Sequence, residues 1–252
     1  MVGFSNLLLM LAESEQPRAV LVCWDTLTEP TYRHRELASY QAHRPPFDPE
    51  IVEQLDRLPG LVEAFGYAAA KRGGYEADDL LAAAATQEER AGGAASVVTS
   101  DRDAYQLASA AVTILAPQTG GKPPTRIGPA EVVERYGVKP EQVPDFIALR
   151  GDPSDGIAGA RGIGAMTAAE LLREHGDLAG VIAARESLTK RRSESLADPQ
   201  LALYLRVATM DRTAPVEVPA DASLDAESGA AYAREIGAFR LAERLQRLAP
   251  AG

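Results

Sequence analysis

Carboxylates dominate the chemistry this sequence can offer, and they fall in four separated groups. Asp25 closes the apolar run 19–24. Glu76, Asp78 and Asp79 belong to Gly74-Tyr75-Glu76-Ala77-Asp78-Asp79, at the opening of a helix-like stretch. Asp101 and Asp103 close the run 95–100, and Asp152 and Asp155 lie in Arg150-Gly151-Asp152-Pro153-Ser154-Asp155-Gly156, just ahead of Gly162-Ile163-Gly164. If folding gathers them, eight acids share one place, and such a cluster cannot stay ionised without cations. Hard oxygen ligands in that number suit Mg²⁺ or Mn²⁺ rather than zinc. Phosphodiester hydrolysis is the reaction that best fits many carboxylates and no evident nucleophile. Two such ions about 4 Å apart activate a water, hold the scissile phosphate and stabilise the leaving oxygen. Each group alone also has a plainer reading. Acids in a first helical turn complement the helix dipole, and Asp101 with Asp103 could form an ordinary strand-end turn.

Elements that would position these acids can be read from the apolar pattern. The runs 19–24, 95–99 and 112–116 read as strands buried on both faces, with helical stretches between the first two. That is the texture of a parallel α/β sheet, in which ligands gather at the carboxyl ends of the strands. Asp25 and Asp101 stand at two such ends. Helices are predicted at 49–65 and 76–90. After a loop at 118–124 the texture turns helical, and prolines and glycines punctuate it. Pro129 starts a helix that stops at Gly137, Pro140 starts one ending near Gly151, and 167–175 presents Ala168, Leu171 and Leu172 on one face before Gly176. A Pro/Val/Ala-rich loop at 214–222 and a helix at 230–248 complete the chain, which shows no internal repeat.

Two further motifs point to nucleic acid. Gly159-Ala160-Arg161-Gly162-Ile163-Gly164 leads into the helix that Thr167 opens. Paired glycines let a backbone approach closely, and a helix N-terminus offers free N–H groups to phosphate. With helices on both sides, the motif reads either as a tight helix–helix turn or as a clamp on a duplex backbone that sets position rather than sequence. In 30–49, Tyr32-Arg33-His34-Arg35, Tyr40 and His43-Arg44 alternate basic and aromatic side chains. That pattern suits single-stranded nucleic acid, or a solvated amphipathic helix. Lys190-Arg191-Arg192 reads as a solvated face, and His175 as structural.

Bulk properties set outer limits. The 252 residues allow one large domain or two closely packed ones, with 46% hydrophobic and 25% charged residues, as in ordinary globular chains. A single cysteine, Cys23, excludes an internal disulfide framework and fits a buried thiol in a reducing cytosol. No apolar stretch approaches the ~20 residues of a membrane span, and the opening 3–11 lacks the basic leader of a signal peptide. The net charge of −10 does not decide for or against a nucleic-acid partner, because local patches govern phosphate binding.

Taken in order, these motifs resemble the 5′-3′ exonuclease/flap endonuclease family, which includes the N-terminal domain of bacterial DNA polymerase I. The resemblance runs from about Gly3 to Leu248. Trp24-Asp25, Tyr40 to Pro45, Gly74 to Asp79, Thr99 to Asp103 with Gln106-Leu107, Leu149 to Asp155, and Gly159 to Ala168 carry it. It implies an α/β parallel-sheet nuclease core of the PIN-like, resolvase-like type over 1–124, with a helical arch at about 29–48. A helical subdomain over 125–252 would hold a helix–three-turn–helix on duplex DNA at about 140–176. It also implies that Asp25, Glu76, Asp78, Asp79, Asp101, Asp103, Asp152 and Asp155 bind two or more Mg²⁺ or Mn²⁺ ions. Among them, Asp25, Glu76, Asp78, Asp101 and Asp103 would be catalytic. Arg33, Arg35, Tyr40 and Arg44 would handle the 5′ strand. Gly162, Ile163, Gly164 and Thr167 would grip the duplex, where K⁺ can sit on backbone carbonyls. The implied activity is removal of 5′ ends, flaps and RNA primers from nicked or branched DNA, in replication and repair, by a cytoplasmic monomer of the stand-alone form.

Departures from the family pattern accompany the likeness. Relatives begin with a further strand ending in a metal-binding Asp, so a misplaced start at Met1 is the expected explanation. Gln41 stands where the arch usually has Lys, Gly156 where Asn is usual, Ala158 where Pro is usual and Met166 where Lys is usual. These changes keep two alternatives open: a weakened or inactive binder of branched DNA on the same scaffold, and a metal-dependent ribonuclease of the related small α/β type.

Overall fold

The computed structural model describes residues 2–248, apart from Thr28 and Pro46; the reading of the start at Met1 lies outside them. In chain order the elements are α1 (Val2–Glu15), β1 (Leu21–Trp24), α2 (Tyr32–Glu36), α3 (Pro49–Ala64), β2 (Ala68–Lys71), α4 (Ala77–Arg90), β3 (Ala95–Val98), β4 (Val112–Ala116), β5 (Thr125–Ile127), α5 (Pro129–Tyr136), α6 (Val143–Arg150), α7 (Ala165–His175), α8 (Leu178–Ala183), α9 (Lys190–Leu196), α10 (Gln200–Ala208), α11 (Ala226–Glu235) and α12 (Phe239–Leu248). None of the described helices is long and apolar enough to cross a membrane. The chain divides into two compact units, one of 1–24, 45–71 and 216–252, the other of 25–44 and 72–215.

The first unit is built on a two-stranded parallel sheet, in which β1 pairs β2 from Leu21 against Ala68 to Trp24 against Lys71. Its core joins Leu8 and Leu9 of α1, Leu58, Leu61, Val62 and Phe65 around α3, and Ala230, Ala233, Leu241 and Leu245 of α11 and α12. Asp48 caps α3 by accepting the Glu50 N–H at 2.9 Å, and Pro49 opens it. The tail expected as one helix over 230–248 is two, because Gly237 turns the chain at φ 77°.

The second unit carries every expected site residue. Its sheet runs β3-β4-β5, the first pair parallel and the second antiparallel. The three strands read from the sequence therefore do not share one sheet among the described residues: β1 pairs with β2, an alanine-rich strand that lacks the β-branched signature. Asp25 still follows β1 and Asp101 still follows β3, but these strands belong to different sheets, so one shared sheet edge is not what gathers the two acids. Around this sheet a larger core packs Val97, Ile114, Phe146, Ile147, Leu149, Leu171, Leu172, Val181 and Leu201. Helix α5 stops at Gly137 and α6 at Gly151, as their glycines predict. Among the described residues, the expected arch forms the short helix α2 and a run of turns over 38–43.

Candidate active site

Helix α4 supplies the first group of acids. Glu76 sits at its N-cap, where the N–H of Glu76 donates to Asp79 Oδ2 at 3.1 Å. Asp25 reaches the same helix end and accepts the Ala77 N–H at 2.8 Å. Thr31 Oγ1 donates to Glu76 Oε1 at 3.2 Å and the Tyr40 hydroxyl to Oε2 at 3.0 Å, so Glu76 is aimed from both sides. Burial, then the charges of Asp101, Asp25 and Glu76, push Asp78 up to about 7.

A second group comes from the turn after β3 and the loop after α6. Asp101 Oδ1 accepts the Asp103 N–H at 2.9 Å, which starts the short 3₁₀ helix Asp103–Leu107. Backbone bonds between Asp152 and Ile157 close the loop that holds Asp152 and Asp155. Burial, followed by Asp101, Asp155, Asp152 and Asp78, pushes Asp103 up to about 8. Asp78 thus feels Asp25, Glu76 and Asp101, while Asp103 feels Asp78, Asp101, Asp152 and Asp155, which links the seven acids through Asp78 and Asp103. Asp101, Asp103, Asp152 and Asp155 line one cleft of 370 Å³, with Arg44, Arg102 and Arg150 on its walls. Among the described residues, no three acidic, histidine or cysteine side chains converge closely enough to surround a single ion.

Asp79 departs from the set expected to bind metal. It is fully buried, and both its oxygens are taken: Oδ1 by Arg33 Nη2 at 2.8 Å and the Asp211 N–H at 2.8 Å, Oδ2 by Arg33 Nη1 at 2.6 Å. The correction extends to Arg33, expected to handle a 5′ strand but only 3% exposed. Burial alone would lower its guanidinium, but Asp79 and Glu76 raise it above its ordinary value. An alternating basic segment thus holds one arginine turned inward. Tyr40 is likewise 4% exposed, its hydroxyl committed to Glu76.

The other expected DNA contacts are more open. Arg44 is half-exposed and pairs with Asp155 at 2.7 Å. Arg35 is exposed on a separate groove of 740 Å³, beside Tyr32, Tyr75 and Arg212. At the duplex-clamp motif, Gly162 turns the chain at φ 78°, and it and Gly164 are exposed while Ile163 is buried in the core. Ile163 anchors the turn and its neighbours present the backbone. Helix α7 starts at Ala165, two residues before the predicted start, which places the half-buried Thr167 in its first turn.

Several participants were not singled out from sequence. Arg102 and Arg150 lie inside the acidic motifs and line the same cleft; Arg150 Nη2 meets Asp152 Oδ2 at 3.1 Å. Their signal was adjacency to acids that drew all the attention. Thr31 had no signal beyond standing just before the basic run.

The family model described as 5′-3′ exonuclease, N-terminal resolvase-like domain, matches residues 1–137, and the 5′-3′ exonuclease C-terminal SAM fold matches 138–229. DNA polymerase I of Mycobacterium leprae is 40% identical over 194 residues, covering 77% of this chain and 21% of that protein. That of Bacillus caldotenax is 33% identical over 257 residues, covering 97% and 28%. The chain therefore spans only 21% to 28% of the length of these two relatives. In fold it is similar to the bacteriophage T5 flap endonuclease in a pseudo-enzyme-product complex with DNA and metal ions, with a TM-score of 0.70, 18% identity and coverage of 98% and 89%. The catalytic core of Rad2 with DNA substrate superposes at a TM-score of 0.54, with 11% identity and coverage of 90% and 76%. The chain belongs to the 5′-3′ exonuclease family, its resolvase-like N-terminal domain followed by the SAM fold.

Proposed function

We propose that this chain is a divalent-metal-dependent 5′-3′ exonuclease and 5′ flap endonuclease. It would act on 5′ ends, nicks and flaps of duplex DNA, RNA primers included, as a cytoplasmic monomer. The observation that carries the reading is the linked electrostatics of Asp78 and Asp103, each raised above an ordinary carboxyl by burial and by neighbouring acids, with Asp101 acting on both. A cluster of that kind is fully ionised at neutral pH only when a cation compensates its charge. Asp25, Glu76, Asp78, Asp101, Asp103, Asp152 and Asp155 would hold Mg²⁺ or Mn²⁺ largely through retained waters, since no three of them converge on one point among the described residues, and hard oxygens suit either ion. When bound, such ions supply Lewis-acid activation of water and neutralise charge on the phosphate.

The chain's own residues do the rest. Arg44, Arg102 and Arg150 line the acidic cleft with positive charge that draws in a phosphodiester. Thr31 and Tyr40 hold the Glu76 carboxylate in one orientation. The Gly162–Gly164 turn and the first N–H groups of α7 would seat a duplex backbone and could lend carbonyls to K⁺. We assign the nuclease core with its arch at about 29–48 to 1–124 and the duplex-clamp subdomain to 125–252.

Cleavage of a 5′-labelled flap duplex in Mn²⁺, Mg²⁺ or EDTA tests this reading. Metal-dependent cutting near the junction that Asp101→Asn abolishes, with DNA binding retained, is the expected result. The second reading, a branched-DNA binder without useful activity, draws on Gln41 and Met166 standing where Lys is usual. It gains if the chain shifts the flap duplex in a gel yet never cuts it.

A further inference from the structure

The segments that carry two departures from the family pattern, Gln41 and Gly156, lie against each other, Gln41 meeting Asp155 and Gly156 meeting Ser39. The backbone N–H of Gln41 donates to the Asp155 carbonyl at 3.1 Å, and the Ser39 hydroxyl donates to the Gly156 carbonyl at 2.9 Å. Gly156 has φ +72°, and a Cβ on it would collide with the Ser39 carbonyl oxygen. Glycine is what lets the two segments come this close. Gln41 itself adopts φ 49°, a left-handed conformation that side-chain-bearing residues rarely take. The contact with Asp155 holds it there.

From that seat the Gln41 amide reaches two acceptors. Nε2 donates to Asp155 Oδ1 at 3.1 Å and to the Tyr40 hydroxyl oxygen at 3.0 Å, and the Tyr40 O–H in turn donates to Glu76 Oε2 at 3.0 Å. One hydrogen-bonded line therefore runs from Asp155 through Gln41 and Tyr40 to Glu76. Asp155 and Tyr40 are buried, at 7% and 4% exposure, so solvent does not readily replace the donors. Among uncharged side chains, a primary amide is well suited to this task, because one nitrogen supplies two N–H groups at a fixed angle.

We propose that Gln41 is a positioning residue: seated by Gly156, its amide ties Asp155 to Glu76 and fixes the spacing of the two carboxylate groups. This rests on the reading of those carboxylates as the cation site of a nuclease. Gln41 touches no reacting atom in this role. It acts through Tyr40 and Asp155, and Gly156 acts through Gln41.

Hydrogen exchange over 39–44, Mn²⁺ binding followed by electron paramagnetic resonance, and flap cleavage against Mn²⁺ concentration test the assignment on Gln41→Glu, Gln41→Lys, Gly156→Ala and the double variant Gln41→Glu/Gly156→Ala. A carboxylate has the same shape as the amide but cannot donate to Asp155. Gln41→Glu should therefore speed exchange and raise half-saturating Mn²⁺ by about tenfold, the scale of one charge-assisted hydrogen bond, with a smaller change in rate at saturating Mn²⁺. Gln41→Lys keeps donors for both acceptors and should restore exchange protection and Mn²⁺ dependence. Gly156→Ala should match Gln41→Glu, and the double variant should be no worse than either single one. Unchanged exchange and Mn²⁺ dependence in Gln41→Glu would overturn the proposal, as would single effects that multiply in the double variant. Exchange is read without DNA or metal, so a wild-type chain that cuts nothing would sink the nuclease reading and leave the tie still measurable.

Discussion

Arg33 and Asp79 form a buried two-pronged ion pair, with Nη1 to Oδ2 at 2.6 Å and Nη2 to Oδ1 at 2.8 Å. The pair is a structural hub: Arg33 Nε also donates to the Val207 carbonyl at 2.8 Å, and Asp79 takes the N–H groups of Glu76 and Asp211. It therefore fastens α2, the start of α4 and the end of α10 to one another. Glu76 caps α4 and Asp78 directly precedes Asp79 on it, so their placement depends on the pair. Arg33→Met would strand a buried carboxylate, and a loss of ~3–5 kcal/mol of stability is expected. Arg33→Lys keeps the charge but loses the fork and should cost less. Urea unfolding measures both, and a Met variant as stable as the wild type would remove the pair from this role.

Stability should also report the unneutralised acids. The folded chain holds Asp78 near 7 and Asp103 near 8, both above the 3.8 of a free aspartate, and Glu76 and Asp155 shift the same way. A raised carboxyl binds more protons folded than unfolded. Its favourable contribution is complete below the unfolded pKa and fades as pH rises through the folded one. In EDTA, melting temperature should fall between about pH 4 and pH 8 on account of these groups. Mn²⁺ should stabilise more at pH 8 than at pH 5, where protons compete for the same oxygens. A melting temperature in EDTA that climbs across this window would contradict the assignment.

How far the sequence revealed this molecule depended on how local each signal was. Val97, Val98, Ile114 and Leu115 announce β3 and β4, and the glycines after α5 and α6 announce their ends, because strand and cap signals are local. Ala68-Ala69-Ala70 does not read as a strand, since alanine favours helix and the strand exists only through pairing with Leu21–Trp24. Asp25 and Asp101 were legible because each follows a strand, Glu76 and Asp78 because they stand at a helix start, and Asp152 and Asp155 because glycines bound their loop after α6. Their partners were not. Nothing in Tyr32-Arg33-His34-Arg35 says that Arg33 turns inward to Asp79 while Arg35 stays exposed, because that choice is made by the surface packed against α2. Gln41 and Gly156 could be named as departures, yet the pairing of 39–41 with 155–156 is a tertiary fact.

Met166 offers a direct measure of duplex contact. It is 89% exposed at the start of α7, beside the Gly162–Gly164 turn. Met166→Lys should leave stability within about 0.5 kcal/mol, since the side chain is solvated. It should tighten flap-duplex binding and steepen the dependence of log K on log salt by about one. Binding titrations at several salt concentrations in Ca²⁺ would decide. An unchanged slope would move the duplex away from this turn.

Gln106 ties the acidic turn to α10. It is 3% exposed; its Nε2 donates to the Asp103 carbonyl at 2.9 Å and the Ala208 carbonyl at 3.0 Å, and its Oε1 accepts the Met210 N–H at 2.9 Å. Gln106→Leu nearly preserves volume but strands these backbone groups, at ~1–3 kcal/mol for each one left buried and unpaired. Because the Asp103 carbonyl is one of them, the substitution should also loosen the turn that carries its carboxylate. A destabilised variant with raised half-saturating Mn²⁺ is therefore expected. Stability lost with Mn²⁺ dependence unchanged would confine Gln106 to the core, with no part in aiming Asp103.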